Sequence, residues 1–258
     1  MERSATMTWG VAALLVIAAA NVAANFYQDF EITWSPSKVK IAPGGEQLQL
    51  LLDSSSGSGF KSKRDYLFGS IDMDIQLVPG NSAGTVTAYY LSSLGANHDE
   101  LDFEFLGNET GQPYIVQTNI FVSGVGGREQ RHYLWFDPTV GFHKYSFRWS
   151  TQDIFFLVDG VPIRHFKKST AYPYPERQPM GLYSSLWNGD DWATRGGLVK
   201  IDWRYAPFVA SYRNFRVVPA SAAPPVDLSK LAWVNRNYMV YNYCTDRPRY
   251  PTTPPDCM

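Results

Sequence analysis

An all-β sandwich is the fold class predicted by three observations. Apolar residues take every second place in many short runs, turn dipeptides separate those runs, and no long helical periodicity competes with them. Ile71, Met73, Ile75 and Leu77 alternate with Asp72, Asp74 and Gln76, and Tyr145, Phe147 and Trp149 alternate with Ser146 and Arg148, so each run has one wet face. Further strands are expected at 48–52, 86–91, 114–122, 154–158, 180–187 and 208–218. Pairs such as Pro79-Gly80, Asp137-Pro138 and Asp159-Gly160 mark the turns, and the pattern implies two packed antiparallel sheets. After Val218 the chain passes through Pro219-Ala220-Ser221-Ala222-Ala223-Pro224-Pro225, which has no strand character. An amphipathic segment at 227–241, with Asp227 or Ser229 near its start, is expected to be helical.

One run carries chemistry. In His98-Asp99-Glu100-Leu101-Asp102-Phe103-Glu104-Phe105-Leu106-Gly107, three carboxyl groups occupy alternate positions. In a strand they share one face, while Leu101, Phe103 and Phe105 point to the core. Crowded carboxylates raise one another's pKa, which suits chemistry needing a protonated acid beside an ionised base, as cleavage or transfer of a glycosidic bond does. A solvated acidic strand face is the bland alternative. Residues four apart on an ideal strand have Cα atoms ~13 Å apart from a ~3.3 Å rise, so Glu100 and Glu104 cooperate only if their side chains lean together on a curved strand.

Composition narrows the partners. Lys and Arg total 23 against 24 Asp and Glu, leaving no bulk charge to draw nucleic acid or an acidic membrane. Aromatic residues make up 15% of the 258, with 8 Trp and 16 Tyr, enough to stack on sugar rings as well as to build strands. His98, His132, His143 and His165 form no ligand-spaced pair, so no metal is expected, and no cofactor motif is present. At the N-terminus, Arg3, an apolar run at 11–20 and Val22-Ala23-Ala24 read as a secretory signal cut after Ala24, leaving no membrane anchor in the mature chain. Secretion permits the only cysteines, Cys244 and Cys257, to pair around a Pro-rich loop, worth about 3 kcal/mol by the loop-entropy relation. Asn108-Glu109-Thr110 is a glycosylation sequon.

The longer string His98 to Asn108 closely resembles the signature of plant xyloglucan endotransglucosylase/hydrolases in glycoside hydrolase family 16, which usually has Ile where this chain has Leu101. The resemblance runs from about Tyr27 to Cys257. It implies a curved jelly roll over 25–218 and a C-terminal extension over 219–258, following a signal at 1–24. It implies Glu100 as nucleophile, Glu104 as general acid/base and Asp102 as helper, with an N-glycan at Asn108. His98 and Asp99 are candidates either for tuning that pair or for structure. Ser185 to Gly197 resembles the acceptor-side segment, bringing in Trp187, Trp192 and Gly197; Tyr90, Gln117 and Asn119 fall at backbone-contact positions, and Arg131 at an acceptor position. The compact loop after Trp187 is closer to the family's transferases than to its hydrolases. The family tail usually has two cysteine pairs, and this chain lacks the first.

The resulting expectation is a secreted, apoplastic or wall-located monomer that cuts xyloglucan with retention and joins it to a xyloglucan or oligosaccharide acceptor. An endo-hydrolase, a transferase using mixed-linkage glucan or cellulose, and a non-catalytic glucan-binding jelly roll are the alternatives.

Overall fold

The computed structural model describes residues 25–257, so the secretory signal lies outside the described residues. Among the described residues are fifteen strands and two α-helices: β1 (Phe30–Trp34), β2 (Val39–Ile41), β3 (Gln47–Leu52), β4 (Ser58–Tyr66), β5 (Gly69–Gln76), β6 (Thr85–Ser92), β7 (Glu100–Leu106) and β8 (Ile115–Phe121). Then come β9 (Gln130–Tyr133), β10 (His143–Trp149), β11 (Asp153–Val158), β12 (Val161–Lys167), β13 (Met180–Asn188), β14 (Phe208–Val218) and β15 (Met239–Asn242), with α1 at Phe26–Asp29 and α2 at Leu228–Asn237. They form two antiparallel sheets, ordered β1-β4-β13-β6-β7-β8-β9-β15 and β12-β11-β10-β5-β14-β3-β2. This is the jelly-roll sandwich expected.

The core lies between the sheets, built from the alternate residues that each strand turns inward. Leu101, Phe103 and Phe105 of β7 are fully buried. Phe103 meets Phe147 of β10 and Phe156 of β11 with ring centroids 5.1 and 5.2 Å apart, and Phe105 meets Tyr145 at 4.6 Å. Such offset and edge-on pairs fix the register of one sheet on the other. At the end of β7 the chain must pass close to a neighbouring backbone. A Cβ on Gly107 would sit 2.0 Å from the Ser82 carbonyl oxygen, so only glycine fits there.

The helix expected at 227–241 is shorter than its pattern suggested. Asp227 caps it, its side chain accepting from the Ser229 N–H, but α2 stops at Asn237 and the chain turns at Tyr238 into β15. Pairing explains the change: β15 adds to β9, with Tyr241 opposite Arg131, and the Tyr133 N–H donates to the Tyr238 carbonyl at 2.8 Å. A strand at a sheet edge satisfies backbone groups that a longer helix would carry into solvent. Cys244 and Cys257 are bonded, closing the loop that follows β15.

Candidate active site

Register places the site. Across β6, β7 and β8 the facing residues are Ser92, Glu100 and Phe121; Tyr90, Asp102 and Asn119; and Ala88, Glu104 and Gln117. The last row continues to Ser185 of β13 on one side and to Arg131 of β9 and Tyr241 of β15 on the other. Because facing residues in antiparallel strands point to the same side, all of these emerge on the sheet face away from the core. All of them except Ser92 line a cleft of about 660 Å³, joined by Glu129, Trp187, Trp192 and Arg249.

The three carboxyl groups differ in environment. Asp102 is almost completely buried, and that burial, reinforced by the charges of Glu100 and Glu104, holds its pKa well above the usual carboxylate range. A protonated Asp102 is a donor within hydrogen-bond reach of Glu100. Glu104 is also raised, first by burial and then by Glu100, against the opposing pull of a hydrogen bond from Gln117 Nε2 at 2.5 Å. Gln117 is itself held, its Oε1 accepting from Arg131 Nε at 2.6 Å. Arg131 lies over the Tyr241 ring, 5.5 Å from its centroid, and makes no salt bridge with a described residue. Thus β7 presents two acids, Asp102 and Glu104, whose pKa values burial pushes up, with Glu100 beside the buried Asp102.

The other expected residues take varied places. Trp187 and Trp192 stand 6.1 Å apart at one wall, and Tyr90 stacks on Tyr183 at 5.2 Å. Asn119 lines the cleft while its Oδ1 accepts the N–H groups of Ile120 and Arg128. Gly197 does not line the cleft: it ends the turn after Trp192 with φ 88°, where a Cβ would lie 2.3 Å from the Asp191 carbonyl oxygen. Asp99 is turned away, its Oδ1 accepting the Ser123 N–H at 2.9 Å, whereas His98 stands 3.9 Å from Glu100. Asn108 sits at the loop after β7 and is not buried. Sequence reasoning did not include Glu129, Tyr241 and Arg249 in the cleft; Arg249 pairs with Glu129 at 2.7 Å. Only the fold-back of the extension brings the last two there, although the Tyr-rich composition of the tail was a usable signal. Among the described residues no group of His, Cys, Asp and Glu could hold a metal ion.

Raised acids beside a third carboxyl group, in a cleft lined by two indoles, define an enzyme built for glycosidic bonds. Residues 26–205 match the glycosyl hydrolases family 16 model, and residues 224–257 match the xyloglucan endo-transglycosylase (XET) C-terminus model. The chain belongs to glycosyl hydrolases family 16, among its xyloglucan endotransglucosylase/hydrolases. It is 56% identical to xyloglucan endotransglucosylase protein 1 of Diospyros kaki, across 90% of this chain and 88% of that protein. It is 51% identical to xyloglucan endotransglucosylase/hydrolase protein 15 of Arabidopsis thaliana, across 100% and 98% of the two. Its fold is shared with a prokaryotic beta-1,3-1,4-glucanase (lichenase) from a mouse hindgut metagenome, with a TM-score of 0.59 at 23% identity, over 77% of this chain and 98% of that one.

Proposed function

We propose that the chain is a retaining endo-transglucosylase that cuts the β-1,4-glucan backbone of xyloglucan and rejoins it to a xyloglucan or oligosaccharide acceptor. The observation that carries the reading is the β7 triplet, with Glu104 and the buried Asp102 both pushed towards their acid forms beside Glu100. In the first step Glu104 gives its proton to the leaving glycosidic oxygen as a Glu100 oxygen attacks the anomeric carbon; the leaving chain departs with a free 4-hydroxyl. Asp102 orients Glu100 by donating to it. In the second step the ionised Glu104 takes the proton of the acceptor 4-hydroxyl, that oxygen attacks the anomeric carbon, and Glu100 leaves as a carboxylate. Retaining chemistry needs the two carboxyl groups about 5 to 5.5 Å apart.

Transfer outruns hydrolysis when the acceptor hydroxyl is held in line, since a positioned reactant has a large effective concentration. Acceptor holding is assigned to Trp187, Trp192 and Arg131 and contact with the glucan backbone to Tyr90, Gln117 and Asn119, an assignment supported by their all lining the cleft. Gly197 is assigned to the same segment, where its positive φ and the close Asp191 backbone leave no room for a Cβ. The assignment extends to the whole chain: a secretory signal at 1–24, a catalytic body over 25–218, an extension over 219–258, an N-glycan on Asn108 and action in the plant wall as a monomer. Its test is incubation of the secreted protein with xyloglucan and a labelled xyloglucan oligosaccharide. Label entering polymer without matching growth of reducing ends supports transfer; reducing ends alone make the protein a hydrolase.

A further inference from the structure

Strand β8 is gripped from behind by two arginines. Arg164 of β12 is fully buried, and its Nη1 donates to the Thr118 carbonyl at 3.0 Å and to Thr118 Oγ1 at 3.1 Å. Arg128 donates from Nη1 to the carbonyls of Ile120 and Val125 at 3.2 and 2.5 Å, and from its backbone N–H to Asn119 Oδ1 at 3.0 Å. Thr118 lies between Gln117 and Asn119, so both grips act on the residues that β8 displays into the cleft.

A fully buried guanidinium with a largely covered one near it requires a counter-charge, and the extension supplies it. Asp256 Oδ2 accepts from Arg128 Nε at 2.7 Å and from Tyr243 OH at 2.8 Å, with its side chain 5% exposed. The Tyr243 ring in turn lies 5.8 Å from the Arg164 guanidinium. Asp256 also faces Arg164 electrostatically, and Arg164 stays cationic although burial pulls its pKa down to about 10. Asp256 and Tyr243 are the immediate neighbours of Cys257 and Cys244, so the disulfide holds the carboxylate and its phenol partner together.

We infer that Asp256 is a positioning residue for the cleft: by neutralising Arg128 and Arg164 it holds β8, and with it Gln117 and Asn119, at the height the acceptor needs. The extension therefore acts at the site in two ways, with Tyr241 and Arg249 in the cleft and Asp256 behind it. In isosteric Asp256→Asn the charge is lost while the shape is kept. This inference rests on the proposed transfer reaction, so its experiment has one arm that does not use activity.

That arm is hydrogen exchange of the intact protein. Amides of residues 115–121 should exchange about tenfold faster in Asp256→Asn, with those of residues 145–149 unchanged. In the activity arm the acceptor KM should rise about tenfold with kcat within about twofold of wild type. Tyr243→Phe, which removes one of the two donors to Asp256 and keeps the ring, should move both readouts the same way by less, and serves if Asp256→Asn does not fold. Unchanged exchange at 115–121, or a uniform increase over all strands, overturns the inference, as does equal loss of kcat with acceptor and with water. A wild type without transfer activity removes the proposed function instead, and exchange alone then decides this inference.

Discussion

In β5, Asp72 and Asp74 alternate with Ile71, Met73 and Ile75, much as Glu100, Asp102 and Glu104 alternate with Leu101, Phe103 and Phe105 in β7. Both strands bury the apolar set completely. Their cross-strand neighbours differ. Asp72 faces Arg216, and Asp74 faces Arg213 and Lys144; Asp74 accepts from Asn214 Nδ2 at 2.8 Å and lies 3.9 Å from Arg213 Nε. The β7 acids face Ser92, Tyr90, Ala88, Phe121, Asn119 and Gln117, none of them cationic. Alternation decides which face an acid occupies, but its neighbours and burial decide whether it is a paired surface charge or an acid whose pKa is pushed up.

Substitutions in the two strands should separate them sharply. Glu100→Ala should reduce transfer by more than about 10³-fold, since it removes the group that forms the covalent intermediate, while binding of xyloglucan oligosaccharide, measured by calorimetry, is retained. Asp102→Asn should lower kcat by about 10²-fold, because the amide can still donate to Glu100 but can no longer share a titratable proton with it. The same change should help stability as pH rises. Asp102 has a folded pKa above its unfolded value of about 3.9, so the folded state binds the extra proton and stability falls as pH climbs from there to the folded pKa. Asparagine has no proton to lose, so thermal unfolding at a series of pH values should show the variant gaining on wild type from pH about 4 upward.

Arg131→Ala should raise the acceptor KM about tenfold, because Gln117 loses its donor partner and Tyr241 its guanidinium, with steady-state kinetics at varied acceptor as the measure. The smallest effect should come from Asp74→Asn in β5, with kcat within about twofold and a stability change of at most about 1 kcal/mol in denaturant unfolding, as befits a partly exposed surface ion pair. Loss of activity there comparable to that of Asp102→Asn would remove the distinction between the strands.

Much of this architecture is legible in the residues. Strong alternation marks β5, β7 and β10, and β14 was expected over the same residues it occupies. Strands β1, β9 and β15 are short, and the outer half of β4, with Lys63, Arg64 and Asp65, is exposed, so no apolar rhythm announces them. The extension shows why a local pattern can mislead. Met239, Val240 and Tyr241 continue an amphipathic helix on paper, but a free edge at β9 captures them. The β7 acids were readable from spacing, whereas the roles of Glu129, Arg249 and Asp256 depend on contacts between segments more than a hundred residues apart. Gly197 was expected at the cleft by its place in a familiar segment, and the turn that needs its positive φ sets it outside the lining.

The most direct test of the central claim is peptide mass spectrometry of enzyme acid-quenched during turnover of xyloglucan. A glycosyl adduct should appear on the peptide containing Glu100, localise to that side chain, vanish when acceptor oligosaccharide is added before quenching and be absent from Glu100→Ala. An adduct on Glu104 or elsewhere, or undiminished transfer by Glu100→Ala, would contradict the assignment of β7 as the catalytic strand in these roles.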